Sequence, residues 1–130
     1  MQVSGKFEVK LQPLNSYTEG KDGNKAGRMS IDKIFYGELS GISKGEMLSV
    51  ITPIPGSAGY VAIEQVSGKL SGKEGSFVLQ HIATMDNQKN NLLIEVVPGS
   101  GTGDLAGISG KMNIRIENNQ HFYEFDYQIP

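Results

Sequence analysis

Both ends of this chain alternate with a period of two. Val3, Gly5, Phe7, Val9 and Leu11 fall on one side of an extended backbone, with Lys6, Glu8 and Lys10 on the other. Near the C-terminus His121, Tyr123, Phe125, Tyr127 and Ile129 oppose Glu124, Asp126 and Gln128, and Met112, Ile114 and Ile116 oppose Lys111, Asn113, Arg115 and Glu117. Successive side chains of a strand point to opposite faces, so this patterning describes half-buried strands. No segment carries a long helical period. The pattern predicts an all-β protein with eight strands, over about 3–11, 28–39, 46–53, 58–71, 76–85, 91–97, 108–117 and 120–129. Asn15 to Gly27 is polar and reads as a loop or loose hairpin. Eight meandering strands are best served by an eight-stranded antiparallel up-and-down β-barrel, because closure removes the exposed edges.

Length and composition narrow the field. At 130 residues the chain is expected to form a single barrel domain, 1–130. Twelve Lys and Arg against 14 Asp and Glu leave a formal charge of −2, with no basic footprint for nucleic acid. There is no cysteine, which excludes disulfide frameworks, thiolate metal sites and cysteine nucleophiles. No apolar run has the length of a membrane helix, and the N-terminal residues carry no signal-peptide core, so a cytoplasmic protein is expected. No cofactor is expected either.

Glycine is abundant, at 17 residues, and partly periodic. Gly37-Glu38-Leu39-Ser40-Gly41 with Gly45, Gly68-Lys69-Leu70-Ser71-Gly72 with Gly75, and Gly103-Asp104-Leu105-Ala106-Gly107 with Gly110 share one spelling. Glycine within a strand permits a sharp bend, and glycine after it a tight turn, so the repeat reads as barrel corners. Gly41-Ile42-Ser43-Lys44-Gly45 spells a nucleophile elbow but lacks the strand-to-helix turn that motif needs. Gly101-Thr102-Gly103-Asp104-Leu105-Ala106 spells a dinucleotide fingerprint, yet a strand rather than a helix follows. The two histidines, His81 and His121, lie in no ligand-spaced motif, so no metal is expected.

Turn lengths set a register. A turn at Asn118-Asn119 places Ile116 opposite His121 and Ile114 opposite Tyr123. A turn from Gly72 to Gly75 places Leu70 opposite Phe77 and Val66 opposite His81. A turn from Pro53 to Gly56 sets Ser49 opposite Tyr60 and Met47 opposite Ala62. A turn from Gly41 to Gly45 brings Phe35 to Ile51. One face then carries Phe35, Leu39, Met47, Ser49, Ile51, Tyr60, Ala62, Glu64, Val66, Phe77, Leu79, His81 and Met85, and is taken as the interior. The opposite face of the middle strands is also apolar, through Leu48, Val50, Val61, Ile63, Val78 and Ile82. An apolar belt on the outside of a barrel predicts a homo-oligomer, most simply a dimer.

Glu64 and His81 share the inferred interior face. A carboxylate inside an apolar barrel must be paired, hydrogen-bonded or protonated, and any of these tunes an acid or base. Glu64 and His81 are therefore the candidate catalytic pair. Tyr60, Glu64, His81, His121 and Tyr123 are the candidate ligand-binding set. Glu95 alternates against Leu92, Ile94 and Val96, and its face is not fixed by the sequence.

The stretches Gly45-Glu46-Met47-Leu48-Ser49, Gly56 to Ala62, Gly75 to His81, Val97 to Gly103 and Phe125 to Pro130 resemble a bacterial family of uncharacterised proteins. It is a domain of unknown function with an allene oxide cyclase-like β-barrel. The resemblance covers nearly the whole chain. It implies an eight-stranded antiparallel barrel and supplies no activity. The plant cyclases with that kind of fold act on fatty-acid-derived epoxides in an apolar cavity and assemble as oligomers, and none of their catalytic residues can be matched here. The leading expectation is a barrel that binds a small apolar or amphipathic ligand. A cofactor-free isomerase, cyclase or hydrolase using the Glu/His pair is the alternative, and a filled, structural barrel is a third.

Overall fold

In the computed structural model, which describes residues 1–130, eight strands close into one antiparallel barrel in the order of the sequence. They are β1 (Gln2–Leu14), β2 (Lys25–Gly37), β3 (Leu39–Ile51), β4 (Ala58–Leu70), β5 (Lys73–Asp86), β6 (Lys89–Val96), β7 (Ser109–Glu117) and β8 (Gln120–Gln128). β8 returns to pair with β1, so Val3 meets Phe125 and Phe7 meets His121. The helical content is one 3-10 turn, Gly103–Leu105, and no helix is long and apolar enough to cross a membrane.

Tight turns close three hairpins. Ser71-Gly72, Asn87-Gln88 and Asn118-Asn119 each hold two consecutive residues at positive φ, the backbone that matches the twist of adjoining strands. The register expected at Asn118-Asn119 is present, as is the one between β3 and β4. Two others differ. The β4–β5 turn is the two-residue Ser71-Gly72 rather than Gly72 to Gly75, so Val66 meets Phe77 and His81 meets Ala62. The β2–β3 connection lies at Glu38, so Phe35 meets Gly41 and not Ile51. Gly41 to Gly45, expected as a turn, is the middle of β3. Both slips are even in number, so every side chain keeps its expected face although its partner changes.

The glycine repeat acts through close backbone approach. Gly41, Gly68 and Gly75 stand opposite one another across β3, β4 and β5. A Cβ on Gly41 would lie 2.2 Å from the carbonyl oxygen of Ser67, and one on Gly68 would lie 2.2 Å from that of Ser40. Gly68 also sits at φ +155. Three strands are thereby drawn together at one end of the barrel.

That end is packed solid. Phe77, Phe125 and Tyr127 stack with centroids 5.4 to 5.6 Å apart, and Leu39, Leu70 and Leu79 fill around them. The segment after β6 closes the base, with Leu105 and Ile108 buried beneath the core. Ser100 Oγ accepts from the Val78 amide and Thr102 Oγ1 from the Ser76 amide, each at 3.0 Å, so β5 stays satisfied past the end of β6.

The opposite end is open. Leu11, Met85 and Ile116 lie on the inward-facing register yet are 45%, 42% and 65% exposed. Ile51, expected inside, is likewise exposed at this rim. Side chains that face inward and still reach solvent line a mouth. The loops β1–β2, β3–β4, β5–β6 and β7–β8 surround it. On one side the wall thins, because β6 and β7 share only the pairs Ile94–Met112 and Glu95–Lys111.

Gly68→Ala is expected to destabilise the fold by about 2 kcal/mol or more, through both the clash and the backbone conformation. Gly72→Ala, at positive φ but with nothing within 4 Å of its Cβ, should cost about 1 kcal/mol. Urea unfolding of the two variants tests the order.

Candidate functional site

Halfway down the barrel, beneath the mouth, four polar side chains meet on the inward face. Lys33 comes from β2, Ser43 from β3, Glu64 from β4 and His81 from β5, and all four are buried. Glu64 is at the centre, at 0% exposure. Lys33 Nζ donates to Oε1 at 3.1 Å, His81 Nε2 lies 2.7 Å from the same oxygen, and Ser43 Oγ donates to Oε2 at 2.6 Å.

Local sequence explains how the four converge. Val9, Lys33 and Ser43 stand in one row across three strands, and Ile31, Gly45 and Glu64 in the next. Gly45 makes room: a Cβ there would lie 2.9 Å from Glu64 Cβ and 2.1 Å from the carbonyl oxygen of Ile63. The Lys33 ammonium lies 4.9 Å from the centre of the Phe7 ring and 5.8 Å from that of Phe35, so aromatic faces share its charge with Glu64.

The electrostatics favour charge at Glu64. Burial alone pushes its pKa up. The His81 hydrogen bond, the Lys33 and His81 charges and the Ser43 hydrogen bond together outweigh burial and bring it down to about 2. Tyr60, half-buried on the inward face nearer the mouth, has its pKa raised by burial first and then by the Glu64 charge.

Of the expected site residues, Glu64 and His81 are in direct contact and Tyr60 lies within their field. His121 is inward-facing and half-buried, but it packs against Phe7, with tilted rings whose centroids are 5.2 Å apart, and makes no hydrogen bond with the network. Tyr123 is taken up by the fold. Its hydroxyl accepts from the Leu39 amide at 3.1 Å and reaches the carbonyls of Tyr36 at 2.9 Å and Leu39 at 3.1 Å, pinning β8 to the β2–β3 turn. Glu95 faces outward, between the buried Ile94 and Val96.

Lys33 and Ser43 are the members that sequence reasoning did not place in the site. The signal for Lys33 was present: it stands between Ile31 and Phe35 on an otherwise apolar face. Ser43 falls in Gly41 to Gly45, which the sequence pattern reads as a turn and which is the middle of β3. No group of three or more His, Asp or Glu side chains is arranged to hold a metal ion.

On the outside, Leu48, Val61, Ile82 and Leu93 form one unbroken row across β3, β4, β5 and β6, and all four are exposed. Ile63 adjoins them and is also exposed, whereas Val50 and Val78 are half-buried. The row borders the Arg28–Glu46 ion pair.

A family model described as a protein of unknown function, DUF3224, matches residues 3–127. The crystal structure of a DUF3224 protein of unknown function from Shewanella oneidensis MR-1 is 58% identical in sequence and superposes with a TM-score of 0.97, covering 100% of this chain and 97% of that one. No curated protein matches the chain.

Removing Glu64 strands a buried ammonium. Glu64→Leu is expected to cost about 3–5 kcal/mol, and adding Lys33→Met should recover most of that loss. The folded pKa of Glu64, about 2, is below the ordinary 4.5, so the folded state takes up the proton less readily than the unfolded one. The Glu64 contribution, about 3 kcal/mol, is therefore complete above about pH 4.5 and lost as the pH falls towards 2. Chemical denaturation of wild type and the double variant across this range tests it: the wild type should lose stability more steeply by about that amount.

Proposed function

We propose, since this chain belongs to the DUF3224 family and no activity comes with that membership, that the open half of its barrel binds a small amphipathic molecule. The observation that carries this is vertical. An ionised, fully buried carboxylate held by Lys33, Ser43 and His81 lies directly below inward-facing apolar side chains that solvent reaches. A polar floor under an apolar wall matches a molecule with one polar end. Tyr60, whose pKa is raised in part by the Glu64 charge, is a polar group on the wall above that floor. Val9, Met29, Met47 and Ile114, half-buried on the inward register, supply apolar contact below the rim. Methionine suits such a wall, because its unbranched side chain adapts to differently shaped partners.

The Glu64–His81 dyad favours a second reading. A carboxylate that orients an imidazole is the arrangement of a general base, and it points to a cofactor-free isomerase, cyclase or hydrolase. In that case a substrate turned over by the wild type should not be turned over by the Glu64→Gln, His81→Gln double variant. Turnover that survives both changes removes the reading. A wholly filled, structural barrel fits the packed half of the molecule and not its exposed inward-facing side chains.

On the outer wall we propose a second copy of this chain as the partner. Under a two-fold axis lying in the interface and parallel to the strands, Leu48 stacks on Leu93 of the other copy and Val61 on Ile82, so aliphatic surface meets aliphatic surface throughout. The Arg28–Glu46 pair at the border is neutral as a unit and brings no like-charge repulsion.

Two measurements test these proposals. Native mass spectrometry of protein purified from its own source should reveal a co-purifying small molecule. Met47→Trp, which fills the wall beside Ala62, should release it while the fold is retained; a molecule retained by that variant counts against the mouth. Light scattering should give twice the chain mass for the wild type and a single chain for the Val61→Glu, Ile82→Glu variant. A single-chain mass for the wild type at all concentrations removes the dimer.

A further inference from the structure

The hydrogen bonds at the barrel floor dictate which polar end the site accepts. Glu64 is saturated: Oε1 takes Lys33 and His81, and Oε2 takes Ser43. A carboxylate facing an ammonium and a hydroxyl donor in this way is ionised, and an ionised carboxylate only accepts. The shared proton of the His81 contact therefore sits on Nε2. In the neutral ring Nδ1 is then a lone-pair acceptor. No protein group donates to Nδ1. Every side-chain nitrogen and oxygen sealed from solvent has a hydrogen-bond partner, so the unpartnered Nδ1 is an atom that solvent reaches.

With the His81 ring neutral, charge at the floor is balanced. Around His81 stand Glu64 and Tyr60 from β4, Lys33 from β2 and Ser43 from β3, while β6 contributes the apolar Ile94. Lys33 and Glu64 cancel. Lys33 donates one of its three protons to Glu64 and otherwise faces the rings of Phe7 and Phe35.

We infer that the molecule taken by this site presents an uncharged hydroxyl on an apolar tail to His81 Nδ1, and not a carboxylate. This deepens the ligand-binding proposal and rests on it. A hydroxyl donates to Nδ1 and retains lone pairs for a Lys33 proton. A carboxylate brings a second negative charge beside Glu64, and its oxygens meet a lone pair at Nδ1.

Isothermal titration of the full chain with 1-decanol and with sodium decanoate at about pH 8 tests this. The alcohol is expected to bind at least about tenfold more tightly than decanoate. His81→Gln should retain the alcohol, since an amide donates to Glu64 through Nε2 and accepts through Oε1. His81→Leu should weaken the alcohol by about tenfold or more, with circular dichroism showing that both variants fold. Decanoate binding as tightly as decanol overturns the inference, as does a folded His81→Leu variant that binds the alcohol unchanged. If that variant does not fold, the wild-type comparison decides alone. Binding of neither amphiphile overturns the ligand-binding proposal itself.

Discussion

An ionised carboxylate shut away from water in the middle of a small barrel constrains everything around it. Glu64 cannot remain charged there without donors, and Lys33, Ser43 and His81 supply them from three other strands. Each donor reaches it only in one register. A two-residue slip of β2 or β5 would leave a charge or a polar group without its partner, at a cost far above that of an exposed ion pair. The network is weak evidence for stability, since apolar side chains of similar volume could fill the same volume. Its clearer effect is to specify one alignment of four consecutive strands. It also holds one imidazole in a fixed orientation.

The barrel divides at that network. Below it, aromatic rings and leucines, Leu105 of the Gly103–Leu105 turn among them, fill the interior. Above it, inward-facing side chains stay exposed. Glycine supports the division, because Gly41, Gly68 and Gly75 draw three strands together at the packed end and Gly45 opens the space in which Glu64 sits. Eight strands are the size at which an interior either fills with side chains or leaves room, and here one half is filled while inward-facing side chains of the other stay exposed. The Gly103-Asp104-Leu105 spelling, which imitates part of a nucleotide fingerprint, is a turn that delivers Leu105 to the filled half.

Misplaced turns did little harm to the expected faces. Assigning Gly41 to Gly45 and Gly72 to Gly75 as turns shifted two registers, but by even steps, so Glu64, His81 and the outer aliphatic row kept their sides. The same error concealed Ser43, which was read as part of a connection. Lys33 was passed over for a different reason. A lysine in an alternating strand reads as solvent-facing by default, and its neighbours Ile31 and Phe35 were the only sign that it faces inward. Tyr123 was expected at a ligand and instead seals the β2–β3 turn, because the sequence shows which face a tyrosine occupies and not which backbone groups lie within reach of its hydroxyl.

The sequence by itself determined strand count, closure and the inward or outward side of nearly every residue, because period-two alternation is local and survives errors of pairing. Tertiary structure alone decided which residues share a level in the barrel. The height of Lys33, Ser43, Glu64 and His81 depends on where each hairpin turns, and a turn of two residues or of four is settled by backbone conformation at Ser71 and Gly72 and by closing the whole ring of strands. The same holds for the open mouth. Exposure of Leu11, Met85 and Ile116 follows from where the interior stops being filled, which depends on side chains from all eight strands at once and is written in no single segment.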